Sequence, residues 1–250
     1  MTIDTNANLS SLDPAEVEKF SKMAAEWWNP KGKFGVLHKF NPVRLAYIKE
    51  QVCARLGLDP MEREPFKGLR FLDIGCGGGL LCEPMARLGA IVVGVDPSEK
   101  NIKTASVHAA EVELHIDYRI GTAEDLAAAG EKFDVILNME VIEHVANPQV
   151  FTATCVSLMK PNGLMFVATI NRTLKSFALA IIGAEYILGW LPRGTHEWEK
   201  FIKPSELKDW LSASGAVTKA GSGVTYHPIA GEWRKAKDMD VNYMLVAQRG

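Results

Sequence analysis

Apolar residues follow two different rhythms on either side of residue 69. Before it, they recur every three or four positions, which is typical of amphipathic helices. After it, short apolar runs such as 70–74 alternate with helical stretches. Repeated strand and helix units whose strands are continuously apolar predict an α/β fold, with a mainly parallel sheet covered by helices on both faces.

Residues 1–66 are predicted to form a helical extension ahead of the sheet. Residues 1–12 are small and polar, which is typical of a frayed tail. Asp13 is followed by a proline and has the character of a helix N-cap. A second helix is predicted to begin at Asn41, after a loop from Phe34 to Phe40.

Three side chains of this extension could serve either structure or binding. Trp27 and Trp28 end the apolar pattern of the first helix, and they either pack against the sheet or help to close over a ligand. Arg44 falls outside the apolar stripe of the second helix, so its spacing alone favours a solvated surface position.

The rest of the chain is predicted to form a seven-stranded sheet with one insertion. The first five strands are predicted at 70–74, 91–95, 117–120, 133–137 and 164–169. Residues 171–203 interrupt the alternation with an apolar helical segment. The last two strands, about 216–226 and 241–248, indicate an antiparallel pair joined by the loop 227–240. Because no repeat or linker divides the chain, we expect residues 1–250 to form a single domain.

Composition and charge narrow the class of protein. The 250 residues carry 28 Lys and Arg against 30 Asp and Glu, which leaves no basic excess for nucleic acid. The four cysteines lack metal-ligand spacing and are typical of free thiols in a reducing cytoplasm. Residues 1–10 lack the apolar centre of a signal peptide, and the apolar run 177–191 is shorter than the roughly 18–20 residues of a membrane span. We therefore expect a cytoplasmic protein.

The candidate chemistry centres on a glycine-rich turn after the first predicted strand. Gly75 and Gly77 belong to a cluster that separates this strand from a helical pattern, an arrangement that brings backbone close to a nucleotide. Asp96 ends the second strand, and its carboxylate suits hydrogen bonds from both hydroxyls of a ribose. Asp73 lies just before the turn and is expected to orient it by accepting backbone hydrogen bonds. Leu80 stands where a dinucleotide motif has its third glycine, which opposes the alternative of a nicotinamide enzyme.

The string Leu-Asp-Ile-Gly-Cys-Gly-Gly-Gly at 72–79 resembles the first motif of class I S-adenosylmethionine-dependent methyltransferases. Asp96 and the segment 123–126 fall where these enzymes place their ribose and adenine contacts. The resemblance implies a Rossmann-like α/β fold with a C-terminal antiparallel strand pair, and S-adenosylmethionine as the methyl donor. A non-catalytic relative that binds this cofactor without turnover is a further alternative.

Motifs outside the turn narrow the resemblance to one family. They lie at 27–28, 35–38, 41–45, 139–145, 183–188, 194–196, 201–204 and 240–245. Together they resemble the O-methyltransferases of ubiquinone biosynthesis. This resemblance implies methylation of polyprenylated phenols and catechols, namely a 2-polyprenyl-6-hydroxyphenol and a 3-demethylubiquinol, and leaves open membership of a ubiquinone-biosynthesis complex. Another class I O-methyltransferase, acting on a different small phenol or catechol, is the alternative.

The resemblance also implies cofactor contacts at individual positions. The predicted cofactor site consists of Arg44, Asp73, Gly75, Gly77, Asp96, Ala123, Glu124 and Met139. A guanidinium can form a fork with the methionine carboxylate of the cofactor, which gives Arg44 a role that its spacing did not indicate.

Glu140, Glu143 and His144 are predicted to lie on one face of a single helical turn. They are either solvated charges or ligands of a divalent ion. The mitochondrial counterpart of the family is associated with magnesium at the matching positions, although Mg²⁺ prefers oxygen ligands to an imidazole. Glu143 and His144 are the catalytic candidates, with His144 as the base that takes the phenolic proton and metal activation of a catecholate as the competitor. His38 and His196 are weaker candidates for the base.

The insertion at 171–203 is expected to serve the apolar tail of such a substrate. A polyprenyl chain resides in a bilayer, and residues 176–192 are rich in large apolar side chains with Lys175 and Arg193 on their flanks. The segment is predicted either to close over the active site as a lid or to lie peripherally at the inner face of the membrane.

Overall fold

The strands and helices that alternate after residue 69 form one mixed sheet with helices on both faces. A computed structural model describes residues 11–178, 197–227 and 230–250. The strands of the described chain are β1 (Arg70–Ile74), β2 (Ile91–Asp96), β3 (Asp117–Ile120), β4 (Phe133–Met139), β5 (Met159–Ile170), β6 (Ala216–His227), β7 (Glu232–Ala236) and β8 (Asn242–Arg249). Their order in the sheet is β3-β2-β1-β4-β5-β8-β6-β7, in which β1 to β5 are parallel and β6 to β8 are antiparallel to their neighbours.

Eight α-helical segments accompany these strands in the described chain. They are α1 (Pro14–Ser21), α2 (Gly35–Leu56), α3 (Cys82–Arg87), α4 (Glu99–Glu111), α5 (Ala123–Ala128), α6 (Pro148–Ser157), α7 (Leu174–Ser176) and α8 (Pro204–Ala213). The helices that follow strands begin at side-chain caps where the sequence supplies them, as at Ser98, which accepts the N–H of Asn101.

The sheet separates two apolar cores because successive residues of a strand point to opposite faces. In β1, Phe71 packs with α2, α3 and α4 on one face, and Leu72 packs with α5, α6 and α8 on the other. β4 follows the same rule with Val135 and Ile136, so the central strands are buried on both faces. Because β1, β2 and β4 are parallel, their carboxyl ends lie at the same edge of the sheet, where α/β proteins bind ligands.

The second helix begins six residues earlier than the sequence predicted. The predicted loop 34–40 was wrong, since α2 starts at Gly35 and continues through Pro42. Asn41 does not cap a helix; its amide donates to the carbonyl oxygen of Leu80 at 2.8 Å and ties α2 to the glycine turn. Pro42 lies inside α2, where it removes one helical hydrogen bond, and the helix nevertheless continues to Leu56.

The predicted seven-stranded sheet was one strand short. The segment 227–240, predicted as a loop, contains β7, which pairs with β6 and forms the edge of the sheet. The first predicted helix is also divided, since α1 ends at Ser21 and a separate 3₁₀ turn spans Ala24–Glu26. The predicted α/β fold with a helical extension is otherwise confirmed.

The insertion is described only at its two ends. Residues 179–196 lie outside the described residues, and so do most of the predicted lid or membrane segment and His196. Within the described ranges, no helix is both long enough and apolar enough to cross a membrane. The division of the chain into one domain stays a prediction.

Candidate active site

The glycine turn adopts a backbone conformation that side chains would obstruct. Gly75 and Gly77 have φ angles of 64° and 53°, in the left-handed region that favours glycine. A Cβ at Gly75 would lie 2.7 Å from a methyl group of Val141, and one at Gly77 would lie 2.3 Å from the ring of Trp27. The two glycines therefore allow the turn to fit between the segment that follows β4 and the N-terminal extension.

Asp96 accepts three hydrogen bonds from the turn and from the start of α4, which the sequence did not indicate. One oxygen accepts the N–H of Gly77 at 3.0 Å, and the other accepts the N–H of Ser98 at 2.8 Å and the amide of Asn101 at 3.1 Å. Burial raises the pKa of Asp96, and these hydrogen bonds act in the opposite direction. A carboxylate has about four acceptor positions, so about one stays available on the oxygen that faces Gly77. That capacity suits one ribose hydroxyl, and a bond to both hydroxyls requires one of the existing donors to move.

Asp73 does not orient the turn through backbone hydrogen bonds, as we had predicted. Its carboxyl instead accepts a hydrogen bond from the thiol of Cys82 at 3.2 Å. Burial raises the pKa of Asp73 to about 7, opposed by Cys82 and by the charge of Arg44. The backbone contact predicted for Asp73 is made by Asp96 because the N–H of Gly77 points toward β2.

Arg44 is a buried cation at the wall of the site, with 3% of its surface exposed. Its guanidinium lies 4.6 Å from the ring centroid of Phe40, and one terminal nitrogen donates weakly to the carbonyl of Leu37 at 3.4 Å. Its Nε has no hydrogen-bond partner among the described residues. Burial lowers the pKa of Arg44, while the charges of Glu140 and Asp73 raise it. An incompletely paired buried cation is suited to an anionic ligand group.

Glu124 closes the site at the start of α5, where Ala123 is buried. One oxygen of Glu124 accepts the backbone N–H of Ser11 at 3.2 Å and its hydroxyl at 2.5 Å. The carbonyl of Ser11 in turn accepts the N–H of Ala146 at 2.8 Å. Ser11 was predicted to belong to a frayed tail, but it bridges two walls of the site.

Met139 ends β4 and is followed by a strained turn that carries two carboxylates, the half-buried Glu140 and the buried Glu143. Glu140 has a φ of 61°, which is unusual for a residue with a side chain and is often found at functional sites. Burial and the neighbouring Glu143 raise the pKa of Glu140, and Arg44 lowers it. Oε2 of Glu143 accepts a hydrogen bond from the hydroxyl of Thr169 at 2.9 Å. Oε1 of Glu143 and Oε1 of Glu140 have no hydrogen-bond partner in the described chain.

The predicted three-ligand metal set is not assembled in this geometry. The helical turn spans only Ile142–His144, so Glu140 lies outside it. Among the described residues, no three His, Cys, Asp or Glu side chains are placed to hold a metal ion together. The imidazole of His144 is directed to a different partner, Glu16, and the two glutamate oxygens are left as the candidate donors.

Sequence reasoning did not find Glu16, which lies in α1. Its carboxylate lies 2.9 Å from Nδ1 of His144, 128 residues away in the chain. Partial burial tends to raise the pKa of Glu16, but the hydrogen bond and charge of His144, with Lys19, lower it to about 2. An ionised carboxylate only accepts hydrogen bonds, so Nδ1 carries the hydrogen of this pair and Nε2 is the basic nitrogen. Phe20 packs edge-on against the same imidazole, with 5.1 Å between ring centroids.

These groups surround one cavity of about 500 Å³, a size typical of ligand pockets. The predicted site residues that line it are Arg44, Asp73, Gly75, Asp96, Ala123, Glu124, Met139, Glu140, Glu143 and His144. Gly77, in the same turn, does not line the cavity, and its N–H donates to Asp96. His38 does not line the cavity, and its Nε2 lies 2.8 Å from the carbonyl of Trp27.

The cavity has an apolar end beyond Arg44, which the sequence did not indicate. Phe40 from α2 meets Val224 and Tyr226 from β6 and Trp233 from β7. Trp233 lies 5.0 Å from Phe40 and 5.4 Å from Tyr226, measured between ring centroids. Because β7 was predicted to be loop, no sequence signal placed an indole in this wall.

Comparison with known proteins identifies the class. A family model described as methyltransferase domain matches residues 45–218. The fold resembles a magnesium protoporphyrin IX methyltransferase from Synechocystis with bound S-adenosylhomocysteine, with a TM-score of 0.65 and 21% identity over 95% of this chain and all of that one. It also resembles a possible histamine N-methyltransferase from Thermotoga maritima, with a TM-score of 0.61 and 18% identity over 94% and 99% of the two chains. The chain is a class I S-adenosylmethionine-dependent methyltransferase.

Closer relatives identify the particular family. The chain is 62% identical to the ubiquinone biosynthesis O-methyltransferase of Mesorhizobium japonicum over 241 residues, 96% of this chain and 97% of that protein. It is also 62% identical to the protein of the same name from Parvibaculum lavamentivorans, over 96% and 95% of the two chains. The chain therefore belongs to the ubiquinone biosynthesis O-methyltransferases, and the predicted family, enzyme class and cofactor are confirmed.

Proposed function

We propose that this protein transfers the methyl group of S-adenosylmethionine to a phenolic hydroxyl of a polyprenylated substrate. The two candidate substrates are a 2-polyprenyl-6-hydroxyphenol and a 3-demethylubiquinol. The observation that carries the proposal is the contact between Glu16 and His144, because it supplies an oriented base in the same cavity as Asp96 and Arg44. The names of the relatives support the polyprenylated phenol as the substrate class.

The cavity walls fit the chemical groups of S-adenosylmethionine. Arg44 offers a buried guanidinium with an unpaired Nε for the methionine carboxylate, and Asp96 has one acceptor position for a ribose hydroxyl. When bound, the cofactor supplies a methyl group activated by a sulfonium.

His144 prepares the acceptor oxygen. A free phenol has a pKa of about 10, so a base must take its proton near neutral pH. Glu16 accepts the Nδ1 hydrogen of His144, which leaves Nε2 to receive the phenolic proton. The carboxylate also stabilises the imidazolium that results. The phenolate that results would accept the methyl group of bound S-adenosylmethionine, which would leave as S-adenosylhomocysteine. Alignment of the phenolate by the cavity walls would supply much of the rate.

A magnesium role is proposed only for the two glutamates. Oε1 of Glu140 and Oε1 of Glu143 are buried oxygens without hydrogen-bond partners in the described chain, and Mg²⁺ prefers oxygen ligands. These residues would hold the ion, which would supply positive charge next to a catecholate. Dialysis against EDTA followed by Mg²⁺ titration tests the role, and catechol methylation that responds to neither treatment would exclude it.

A peripheral membrane contact through residues 176–192 is a further part of the proposal. Its support in the described chain is the exposure of Leu174 and Phe177, at 82% and 40%, beside Lys175. Flotation with anionic liposomes should recover the full chain and lose it when 176–192 are replaced by a short polar linker. Equal flotation of both forms would remove the membrane role. Cytoplasmic location remains a prediction from the composition, and membership of a ubiquinone-biosynthesis complex remains a prediction from the resemblance.

Transfer of a labelled methyl group tests the proposed activity. Purified protein is supplied with labelled S-adenosylmethionine and short-tailed prenyl catechols, with and without Mg²⁺, and label is expected in the catechol ether. A soluble catechol without a tail serves as the comparison substrate. Activity on the soluble compound alone would favour a methyltransferase of another small phenol. Thermal stabilisation by S-adenosylhomocysteine without transfer to either compound would favour a non-catalytic role.

A further inference from the structure

The apolar end of the cavity is built by three aromatic side chains from two parts of the chain. Tyr226 and Trp233 are directly paired across β6 and β7, so both rings lie on the same face of this antiparallel pair. Phe40 reaches Trp233 from α2, and an ion pair of 2.6 Å between Lys235 and Glu50 joins the same two elements. The wall therefore depends on β7, the edge strand that the predicted seven-stranded sheet lacked.

This aromatic wall begins next to the cofactor groups. The guanidinium of Arg44 lies over one side of the Phe40 ring, at 4.6 Å from its centroid, and Trp233 packs at 5.0 Å from the same centroid. A ligand that lies against Trp233 is thus one aromatic ring away from the residue proposed to hold the methionine carboxylate. The wall extends the reaction site and is not a separate pocket.

The wall is an apolar surface that contains one buried polar atom without a hydrogen-bond partner among the described residues. Phe40 and Trp233 line the cavity with aromatic carbon atoms, which suit an unsaturated hydrocarbon, and Val224 lies among the buried residues beside them. The indole N–H of Trp233 is buried and has no acceptor among the described residues. A buried tryptophan N–H normally has a partner, so an oxygen of a bound molecule is the acceptor that this position suits.

We infer that the wall formed by Phe40, Tyr226 and Trp233 binds the first isoprenoid unit of the substrate, next to the phenolic ring. The inference rests on the proposed function, because it takes the prenylated phenol as the occupant. It explains why the apolar surface adjoins the methyl-donor site: the chain is attached to the ring that is methylated. The wall then selects substrates by the presence of a prenyl group.

A substrate series measures this selection directly. The quantity is the ratio of kcat/KM for a catechol with one isoprenoid unit to kcat/KM for the same catechol without it. In the native protein we expect a ratio of about ten or more, since five buried carbon atoms each favour binding. Trp233→Ala is expected to lower this ratio about five-fold or more, while the Kd for S-adenosylhomocysteine stays within about two-fold.

Control variants separate the wall from general effects on folding. Trp210→Ala removes a tryptophan of α8 that packs in the opposite core and does not line the cavity, so it should keep the native ratio. Tyr226→Ala provides a second truncation of the wall if Trp233→Ala lowers the melting temperature strongly, and it should reduce the ratio in the same direction.

The outcomes distinguish the inference from the proposed function. If the native protein methylates neither catechol, or does not favour the prenylated one, the proposed function itself is contradicted. If the native protein favours the prenylated catechol and both wall variants keep the native ratio, the proposed function stands and the wall does not bind the isoprenoid unit.

Discussion

The cavity has a floor and a cover that are specified by the chain in different ways. The floor is the set of turns after β1, β2 and β4, and its groups are fixed by bonds between neighbouring strand ends, such as Gly77 to Asp96. The cover consists of residues 11–44 and the β6–β7 pair. Its contacts with the site join residues that are far apart in the sequence. Glu16 and His144, one from each part, are 128 residues apart. The comparison teaches that the floor is fixed by neighbouring strand ends, whereas the proposed base and the proposed carboxylate site depend on how the cover meets the floor.

Loss of the base should have the largest effect. His144→Ala is expected to lower kcat by about 10²–10⁴-fold, the usual contribution of a general base, because the phenolic proton loses its acceptor. The Kd for S-adenosylhomocysteine should change little, since Arg44 and Asp96 are untouched. Single-turnover methyl transfer and calorimetric titration measure the two quantities, and an unchanged kcat would remove His144 from the mechanism.

Loss of the buried cation should weaken cofactor binding most. Arg44→Ala is expected to raise the Kd for S-adenosylmethionine about 10- to 100-fold, because a charge-assisted hydrogen bond contributes about 1.5–3 kcal/mol. Arg70→Ala is a matched control, since Arg70 also lies over an aromatic ring and pairs with a glutamate, but outside the cavity. Equal affinities of the two variants would contradict the assignment.

The contribution of the cover to catalysis can be tested at Glu16, which orients the proposed base. Glu16→Gln is expected to lower kcat about ten-fold with little change in cofactor affinity, because an amide no longer favours the required tautomer or stabilises the imidazolium. If Glu16 acts through His144, the same change should have almost no further effect in a His144→Ala background. Effects that multiply in the double variant would show that Glu16 stabilises the fold instead.

The smallest expected effect concerns the floor in the absence of cofactor. The pKa of Asp73 is raised to about 7 by burial, so between its ordinary value near 3.8 and pH 7 the folded protein binds more protons than the unfolded one. This group therefore makes the protein less stable as pH rises through that window. Asp73→Asn should remove this dependence, on the order of 1 kcal/mol in the free energy of unfolding.

Urea unfolding of the cofactor-free protein at pH 5 and pH 7 measures the difference. Asp209→Asn, an exposed position on α8, is the control and should keep the native dependence. A pH dependence that is identical in the native protein and in Asp73→Asn would mean that the carboxyl of Asp73 is ionised throughout this range.

How well the sequence predicts each region depends on how far apart in the sequence its interacting residues lie. The glycine turn and Asp96 could be predicted because strand, turn and helix signals are local and the carboxyl ends of parallel strands meet at one edge. The roles of Glu16 and Ser11 could not, since each depends on a partner more than a hundred residues away. β7 escaped prediction because an exposed edge strand of five residues has little apolar alternation to show in the sequence.

Two errors, one in the cover and one in the floor, have a local physical cause. Asn41 and Pro42 have the form of a helix start, but the asparagine amide binds the glycine turn and the proline is accommodated within α2. Glu140 was placed on a helical turn because spacing alone does not reveal a positive φ, which here separates it from Glu143 and His144. In both cases a tertiary contact overrides the local signal.

Trp27 gives the protein an optical signal of its own. Its indole presses on the glycine turn, stacks on Phe34 with 3.8 Å between ring centroids, and lines the cavity. Arrival of a ligand in the cavity changes the polarity around this ring. A variant in which Trp27 is the only one of the six tryptophans to remain would therefore report cofactor binding and release through its fluorescence, in real time and without a label.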